Sequence, residues 1–556
     1  MAEAEPRSFN VGILCDGTIF QKWQAEAIRH LMALPGVRIA VLILDESARQ
    51  RSHRWWDRTL YRKYRQHWFD PPAMRQEDLH ELLKEVPRSH CVPEIVGKRQ
   101  RIGQQDLARI AEYRPDMLLR FGFNILTGGI LTLPRYGVWS FHHGDPAHYR
   151  GGPPGLWEIM DDMPVTGAIL QRLTETLDGG AILRQGWFAT IDHSLEQTVD
   201  TVLSYSAIWP AQVVRRILRG DHAAAIGHAA EATGKIHRYP GTFDLLRFFW
   251  KRSRNKIRFH RRQLGEHDQW NIGVLYQPIH TLLQEEASLN LRWLPEPSVN
   301  NFRADPFGYY DQEGELHVLY EKFDQRTGLG EIAKVRPRKD SVLKRSRTVL
   351  SSDRHFSYPY IVQRSGRTYV IPESFTSGKV CLYQMKDDHS ELEFIKVLLE
   401  EPLVDPTVFE HEGRWWIFGT KYPLTNEALY AYHGTSFEGP YLPHDLNPIK
   451  IDIRSARPGG TPFTKDGVLY RPAQDSSITY GGRIAINKII RLDPHFFEEE
   501  TVKFVEPFKG QYDQGLHTVA AVGDVTLVDG KRFVTFAGHK AKVRKEKLNR
   551  LIGRNA

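Results

Sequence analysis

The chain has 556 residues, 41% hydrophobic and 26% charged, with a net charge of +8. That length exceeds what one ordinary core organises, so two or more domains are expected. No apolar run approaches the roughly 18 residues needed to span a bilayer, and the first residues lack a signal peptide's basic and apolar regions. Cys15, Cys91 and Cys381 are too few and too scattered for a disulfide framework or a CxxC metal site. A reducing, cytoplasmic setting is the expectation, with no metal.

Residues 9–17, FNVGILCDG, read as a buried strand running into an Asp-Gly turn. From Phe20 a helical pattern follows, with Trp23, Ala27, Ile28 and Leu31 on one face and Pro35-Gly36 closing it. Val37 to Leu44 is a second strand-like run. A helical stretch from Gln104 to Tyr113 precedes a third, Asp116 to Phe121. A long helix with Leu195, Val199, Val202 and Leu203 on one face closes the region near Leu218. Strands alternating with helices imply a parallel sheet covered on both faces. The expected fold is an α/β doubly wound, Rossmann-like domain over residues 9–232.

Three basic stretches stand out. Residues 49–65 carry Arg49, Arg51, Arg54, Arg58, Arg62, Lys63 and Arg65 between Trp55, Trp56, Tyr61 and Tyr64. Residues 233–280 read as a basic aromatic linker, with Arg247, Lys251, Arg252, Arg254, Lys256 and Arg258 around Phe248, Phe249, Trp250 and Phe259. A basic tail, residues 539–556, ends the chain. Such clusters serve as solvated helix faces or interdomain packing, or they hold anionic lipid or nucleic acid, each cation adding on the order of 1 kcal/mol at an anionic membrane. The lipid reading would place the chain peripherally at the inner membrane face.

Beyond about residue 280 short strands and Gly turns take over, in a loose repeat. ADPFGYYDQEGELHVLYEKF (304–323), SYPYIVQRSGRTYVIPESF (357–375), VDPTVFEHEGRWWIFGTKY (404–422) and GGTPFTKDGVLYRPAQD (459–475) share one order, Pro then Gly then aromatic. A weaker fifth copy is LHTVAAVGDVTLVDGKRFV (516–534). A spacing of roughly 50 residues is that of a propeller blade, so residues 281–538 are expected to form an all-β five-bladed propeller.

The segment GVWSFHHGDPAHYRGGPPGLWEIMDDMPVTGAILQRLTETLDGGAIL (137–183) carries the most specific signal. It resembles the folate-dependent formyltransferases, whose strand ends in Asn-x-His and is followed by Tyr-Arg-Gly, Thr-Gly and Leu-Asp-x-Gly. His142, Tyr149-Arg150-Gly151, Thr166-Gly167 and Leu177-Asp178-x-Gly180 match in order and spacing. The resemblance implies 10-formyltetrahydrofolate as cofactor, its pterin held along Phe121, Gly122, Ile125 and Leu126, with Asp178 and Gly180 completing the cofactor site. His142 would polarise the formyl oxygen, Asp178 would orient or accept protons, and Tyr149 and Arg150 would meet substrate. Ser140 stands where the family has its catalytic Asn, and losing one oxyanion donor typically costs about 10²–10³ in rate. His143 or a water is the candidate replacement. Asp145 and His148 read as local turn residues.

The second half resembles the propellers of family 43-type glycoside hydrolases and of the glucosamine inositolphosphorylceramide transferases. Innermost strands line a propeller's channel, so Asp305, Tyr358 and Asp405 are expected there with Glu321, Glu373, Lys421, Arg471, Asp475 and His517. A hydrolase needs a base and a general acid across the sugar; Asp305 matches the base, and no acid emerges. Asp305, Glu321, Glu373, Asp405 and Asp475 are the candidate sugar-binding residues. The leading expectation is formyl transfer to an amino sugar or nucleotide-sugar, with the propeller binding the sugar. The alternative is a carbohydrate-active transferase or glycan-binding protein whose formyltransferase-like domain has changed chemistry. Nucleic acid is disfavoured as a partner.

Overall fold

A computed structural model describes residues 8–47, 59–97, 99–176, 179–231, 233–285, 289–338 and 346–534. Two compact units divide at Lys256 and Ile257. Among the described residues no helix is long and apolar enough to cross a membrane.

In the first unit the apolar runs become the buried central strands of one sheet, flanked by more exposed edge strands. These are β1 (Phe9–Cys15), β2 (Val37–Asp45), β3 (Arg88–Cys91), β4 (Met117–Arg120), β5 (Val138–His142), β6 (Val165–Arg172), β7 (Ala181–Ala189) and β8 (His228–Ala229). They form one sheet in the order β8-β7-β6-β5-β4-β1-β2-β3. From β3 to β5 every pairing is parallel, while β6, β7 and β8 pair antiparallel. The sheet is therefore mixed, not wholly parallel. The link from β6 to β7 is too short for a crossover, which takes a dozen or more residues, so those strands form a hairpin.

The helices are α1 (Lys22–Met32), α2 (Thr59–His67), α3 (Gln104–Glu112), α4 (Leu156–Met160), α5 (Leu195–Ser206), α6 (Trp209–Leu218) and α7 (Thr242–Gly265). Leu107 and Ile110 of α3 pack with Val41, Ile43, Leu118 and Val138 of the sheet. Trp23 of α1 and Leu195, Val199 and Leu203 of α5 build a second cluster, into which α7 inserts Leu245 and Phe248. Residues 233–280 are thus not a linker. Lys235–His237 pairs with Tyr149–Gly151, and α7 docks through the apolar residues on one of its faces.

The second unit is a ring of five antiparallel sheets. Blade one runs through Asn301–Tyr310, Leu316–Asp324, Leu329–Val335 and Arg347–Leu350; blade two through Ser357–Arg364, Arg367–Glu373, Val380–Met385 and Leu392–Leu399. Blade three is built on Val404–His411, Arg414–Lys421 and Leu424–Gly434, and blade four on Phe463–Lys465, Val468–Asp475, Arg483–Leu492 and Phe497–Val505. The fifth copy supplies only Val519–Val522 and Val525–Val534. His267–Leu275 completes that sheet, pairing from His267 with Val534 to Leu275 with Thr526, and Leu291–Trp293 joins its outer side. The propeller therefore begins at His267, before residue 281, because that strand pairs with Val525–Val534 and closes the ring with strands from both ends of the segment.

Candidate functional site

The register of β4 against β5 sets Ser140 beside Arg120. Alternate strand residues share a face, so Arg120, Ser140 and His142 look the same way at the C-terminal edge, where open α/β sheets bind ligands. Arg120 donates from Nε and Nη2 to Ser140 Oγ, at 3.1 and 2.9 Å, and from Nη1 to the Asn124 carbonyl at 2.7 Å. A guanidinium has five N–H groups, so part of its donor capacity stays unspent. No carboxylate faces it among the described residues, and burial pulls its pKa below the usual value. Arg120 went unread in the sequence.

His142 Nε2 lies 3.0 Å from the Tyr149 carbonyl. A carbonyl only accepts, so Nε2 carries the hydrogen and the neutral ring offers Nδ1 as an acceptor. Two glycines hold the loop between these residues. A Cβ on Gly151, at φ 85°, would stand 2.1 Å from the His237 carbonyl oxygen, and one on Gly167 would stand 2.8 Å from the Asp145 Cβ. Tyr149 donates its hydroxyl to Asp161 at 3.1 Å, and Arg150 is half-buried on the same short strand. Asp145 accepts the Ala147 N–H at 3.0 Å and meets His148 at 2.9 Å.

His143 does not replace the missing amide. Strand alternation sends it to the opposite face, where its ring stacks on Phe141 at 5.7 Å, meets Trp23 edge-on and approaches Ser206 Oγ at 3.3 Å. Burial lowers its pKa to about 3. Of the cofactor candidates, Phe121 turns its ring into the same aromatic group, Leu126 is buried and Ile125 is half-buried. Gly122 packs against the end of β1, and a Cβ there would meet Asp16 at 2.7 Å; Gly180 lies against Gln171. Leu177 and Asp178 lie outside the described residues. A second unread group is Glu158 of α4, fully buried, its pKa raised to about 7 by burial with Asp161 and Asp145 adding to it. Its one sequence signal is an acid within the apolar run of α4.

In the propeller, Asp305, Tyr358 and Asp405 each precede a proline and adopt positive φ, 51°, 43° and 51°. Strand register breaks at each of them. Such backbone costs of order 1–3 kcal/mol per residue and survives only where the surroundings enforce it. Here it brings three blades' side chains together. Thr518 donates to Asp305 at 2.7 Å, and Tyr358 and Thr407 exchange a hydrogen bond at 2.9 Å. Arg457 and Gln474 both reach Asp405, at 2.6 and 2.7 Å, and the Asp405 N–H donates to Glu373.

The group is rich in acid. Burial raises Asp305 to about 6, with Asp405 and Asp529 adding and His517 opposing. Glu321 and Glu373 rise well above the usual carboxylate range, burial first and neighbouring carboxylates second. His517 is lowered by burial but raised further by Asp529 and Asp305, and it stacks on Trp270 at 3.9 Å. Asp305, His517 and Asp529 offer a donor set with which a divalent cation could be held, and Asp311, His317 and His389 offer another. Asp475 is drawn away by Arg483 at 2.8 Å, Arg471 by Glu499 at 2.6 Å and Lys421 by Glu401 at 2.7 Å. Each expected channel residue of this kind has a nearer partner on its own or the adjacent blade. Arg457, Gln474, Trp270 and Asp529 went unread; Arg457 and Gln474 sit in the run that leads into and through blade four.

The raised acids carry a pH dependence. A carboxyl whose pKa is higher folded than unfolded contributes stability that is complete below its unfolded pKa and lost as pH rises through the folded one. Glu373→Gln mimics the protonated form. It is expected to match the wild type at about pH 4 and to exceed it in melting temperature at about pH 8. Parallel melting curves at both pH values would show that Glu373 is not held as the acid.

The first unit is a formyltransferase-like α/β domain, and the second is a five-bladed β-propeller. Residues 294–518 match the family model of glucosamine inositolphosphorylceramide transferase 1, N-terminal. The Arabidopsis thaliana glucosamine inositolphosphorylceramide transferase 1 is 34% identical over 264 residues, 42% of this chain and 34% of that protein. A methionyl-tRNA formyltransferase of Prochlorococcus marinus is 36% identical over 77 residues, 14% of this chain and 23% of that protein. The chain thus spans about a third or less of the length of these curated relatives. A thermostable family-43 glycoside hydrolase aligns at 14% identity and TM-score 0.31, over 40% of this chain and 86% of that one.

Proposed function

We propose that the first unit transfers a formyl group from 10-formyltetrahydrofolate to the amine of an amino sugar or nucleotide-linked amino sugar, and that the propeller axis binds the sugar. One observation carries the reading: Arg120, Ser140 and His142 meet at one strand edge with donor and acceptor capacity unspent. Bound 10-formyltetrahydrofolate would supply the formyl carbon, and the backbone of Phe121 to Leu126 would hold its pterin. The side chains of Phe121 and Leu126 are already committed to the core, which leaves that backbone as the recognition surface.

Transfer needs a donor for the developing oxyanion and an acceptor for the amine's proton. Arg120 fills the first role, since its guanidinium stays charged and Ser140 fixes its direction. Neutral His142 fills the second through Nδ1, because Nε2 is engaged by Tyr149. This reverses the role the resemblance assigns to His142, and it accounts for an active site without the amide. Asp178 would then relay the proton to the nitrogen of the departing tetrahydrofolate.

At the propeller axis, protonated Glu321 and Glu373 donate and the Arg457-paired Asp405 accepts. Tyr480 lies beside the Arg457 guanidinium at 5.1 Å and is 37% exposed, an aromatic face a sugar ring could meet. The relatives' names point the same way, a glucosamine-containing glycolipid for one and formyl transfer for the other. The test is turnover of 10-formyltetrahydrofolate with a panel of nucleotide-linked amino sugars. Formylated product is expected from the wild type, with a loss of about 10²–10⁴ in His142→Ala. No product from any acceptor, together with no thermal shift by a folate analogue, would sink the reading.

A further inference from the structure

Two of the basic, aromatic runs, some 180 residues apart in sequence, become neighbouring helices. Tyr64 of α2 packs against Phe248 and Phe249 of α7, at 6.4 and 5.2 Å between rings, and Arg252 lies beside its hydroxyl. On its inner face α7 is held by specific contacts. Leu245 and Phe248 are fully buried, Lys251 bonds the Met160 carbonyl and Asp162, and Asn255 bonds the Asp192 carbonyl. That docking fixes which face looks outward.

The outward face is not polar. Phe243, Leu246 and Trp250 stand three and four residues apart, one stripe of a helix, and are 87%, 53% and 65% exposed. Arg247, Arg254 and Lys256 are exposed beside them, with the Arg254 guanidinium over the Trp250 ring at 5.3 Å. Asp244 is the one acid on α7, and its carboxylate is turned to the Gly241 N–H. On α2, which has no acid, Arg62, Lys63 and Arg65 are exposed, and Trp68 just beyond it is 65% exposed. Arg49, Arg51, Arg54 and Arg58 lie outside the described residues.

We infer that the outer faces of α7 and α2 form a docking surface for an anionic lipid bilayer. Aromatic and aliphatic side chains that enter the acyl boundary, ringed by cations that meet the headgroup phosphates, are what an interfacial helix presents. A nucleic-acid backbone would satisfy the arginines but leave Phe243, Leu246 and Trp250 in water. The charge is strongly one-sided: Asp162, already bonded by Lys251, is the exposed acid at the edge of the patch, 4.0 Å from Arg254, while Arg247, Lys256, Lys63 and Arg65 add exposed positive charge across both helices. The helix lies along the surface and does not span it.

Co-sedimentation of the full chain tests this, with vesicles containing phosphatidylglycerol and with vesicles of phosphatidylcholine alone. The wild type is expected to pellet with the first and not the second, and to be released when salt is raised from about 0.15 M to about 1 M. Phe243→Ser with Trp250→Ser, and separately Arg247→Gln with Arg254→Gln, should each lower partitioning roughly tenfold or more. All four side chains are exposed, so unchanged melting temperatures confirm that folding is intact. No pelleting by the wild type overturns the inference, as does pelleting that neither pair alters. Binding to an RNA duplex without binding to vesicles would assign the surface to nucleic acid and overturn it equally.

Discussion

Arg457→Ala is expected to destabilise the propeller by about 3–5 kcal/mol, the cost of leaving one partner of a buried ion pair alone. Asp405 is 1% exposed and takes its strongest contact from Arg457 Nε at 2.6 Å. Asp305 and Glu373 crowd the same axis, and the other positively inclined group there, His517, is held on Asp529. Burial lowers the Arg457 pKa and Asp405 raises it further, with a net shift well upward. Arg457→Lys should fall between, keeping the charge but not the forked geometry. Replacing both partners by Gln and Asn should recover much of the loss, since a pair removed whole leaves no orphaned charge. Chemical denaturation distinguishes these cases. An Arg457→Ala protein as stable as the wild type would mean that water or a rearranged side chain already screens Asp405.

The blade pattern was legible because three of the repeats open on a residue set before a proline. Asp305-Pro306, Tyr358-Pro359 and Asp405-Pro406 mark the first strands of three blades in the sequence itself. What could not be read is the backbone there, since residues before proline favour extended conformations and these three do not. The fifth blade misled the domain boundary for a topological reason. Its strands come from both ends of the unit, and His267–Leu275 has no turn motif to announce it. The axial partners were hidden likewise. Arg457 and Asp405 are 52 residues apart, and Asp305 and Asp529 are 224 apart, distances over which only the closed ring brings them together.

In the first unit the motif disclosed the positions of Ser140 and His142 but not their surroundings. Arg120 sits 20 residues upstream, outside any motif, and only the parallel register of β4 with β5 sets it beside Ser140. His143 looked available in the sequence because adjacent residues are equally near a site on paper. A strand sends them to opposite faces.

If Arg120 supplies the oxyanion donor, Arg120→Ala should lower kcat by about 10²–10³, the range for removing one such donor. KM for the amine should change little, because the contact strengthens only as charge develops on the oxygen. His142 depends on Tyr149, not on Arg120, so its orientation should persist in the variant. Ser140→Asn by itself should not raise activity, since the larger side chain competes for a fully buried position already bonded to the guanidinium. In the Arg120→Ala background the same change should restore part of the lost rate, because the amide then has room and no rival donor. That sign reversal is a coupling between neighbouring sites, which a double-mutant cycle measures directly. Additive effects in the cycle would separate Arg120 from the reaction and leave it a strand-edge support for Ser140 and Asn124.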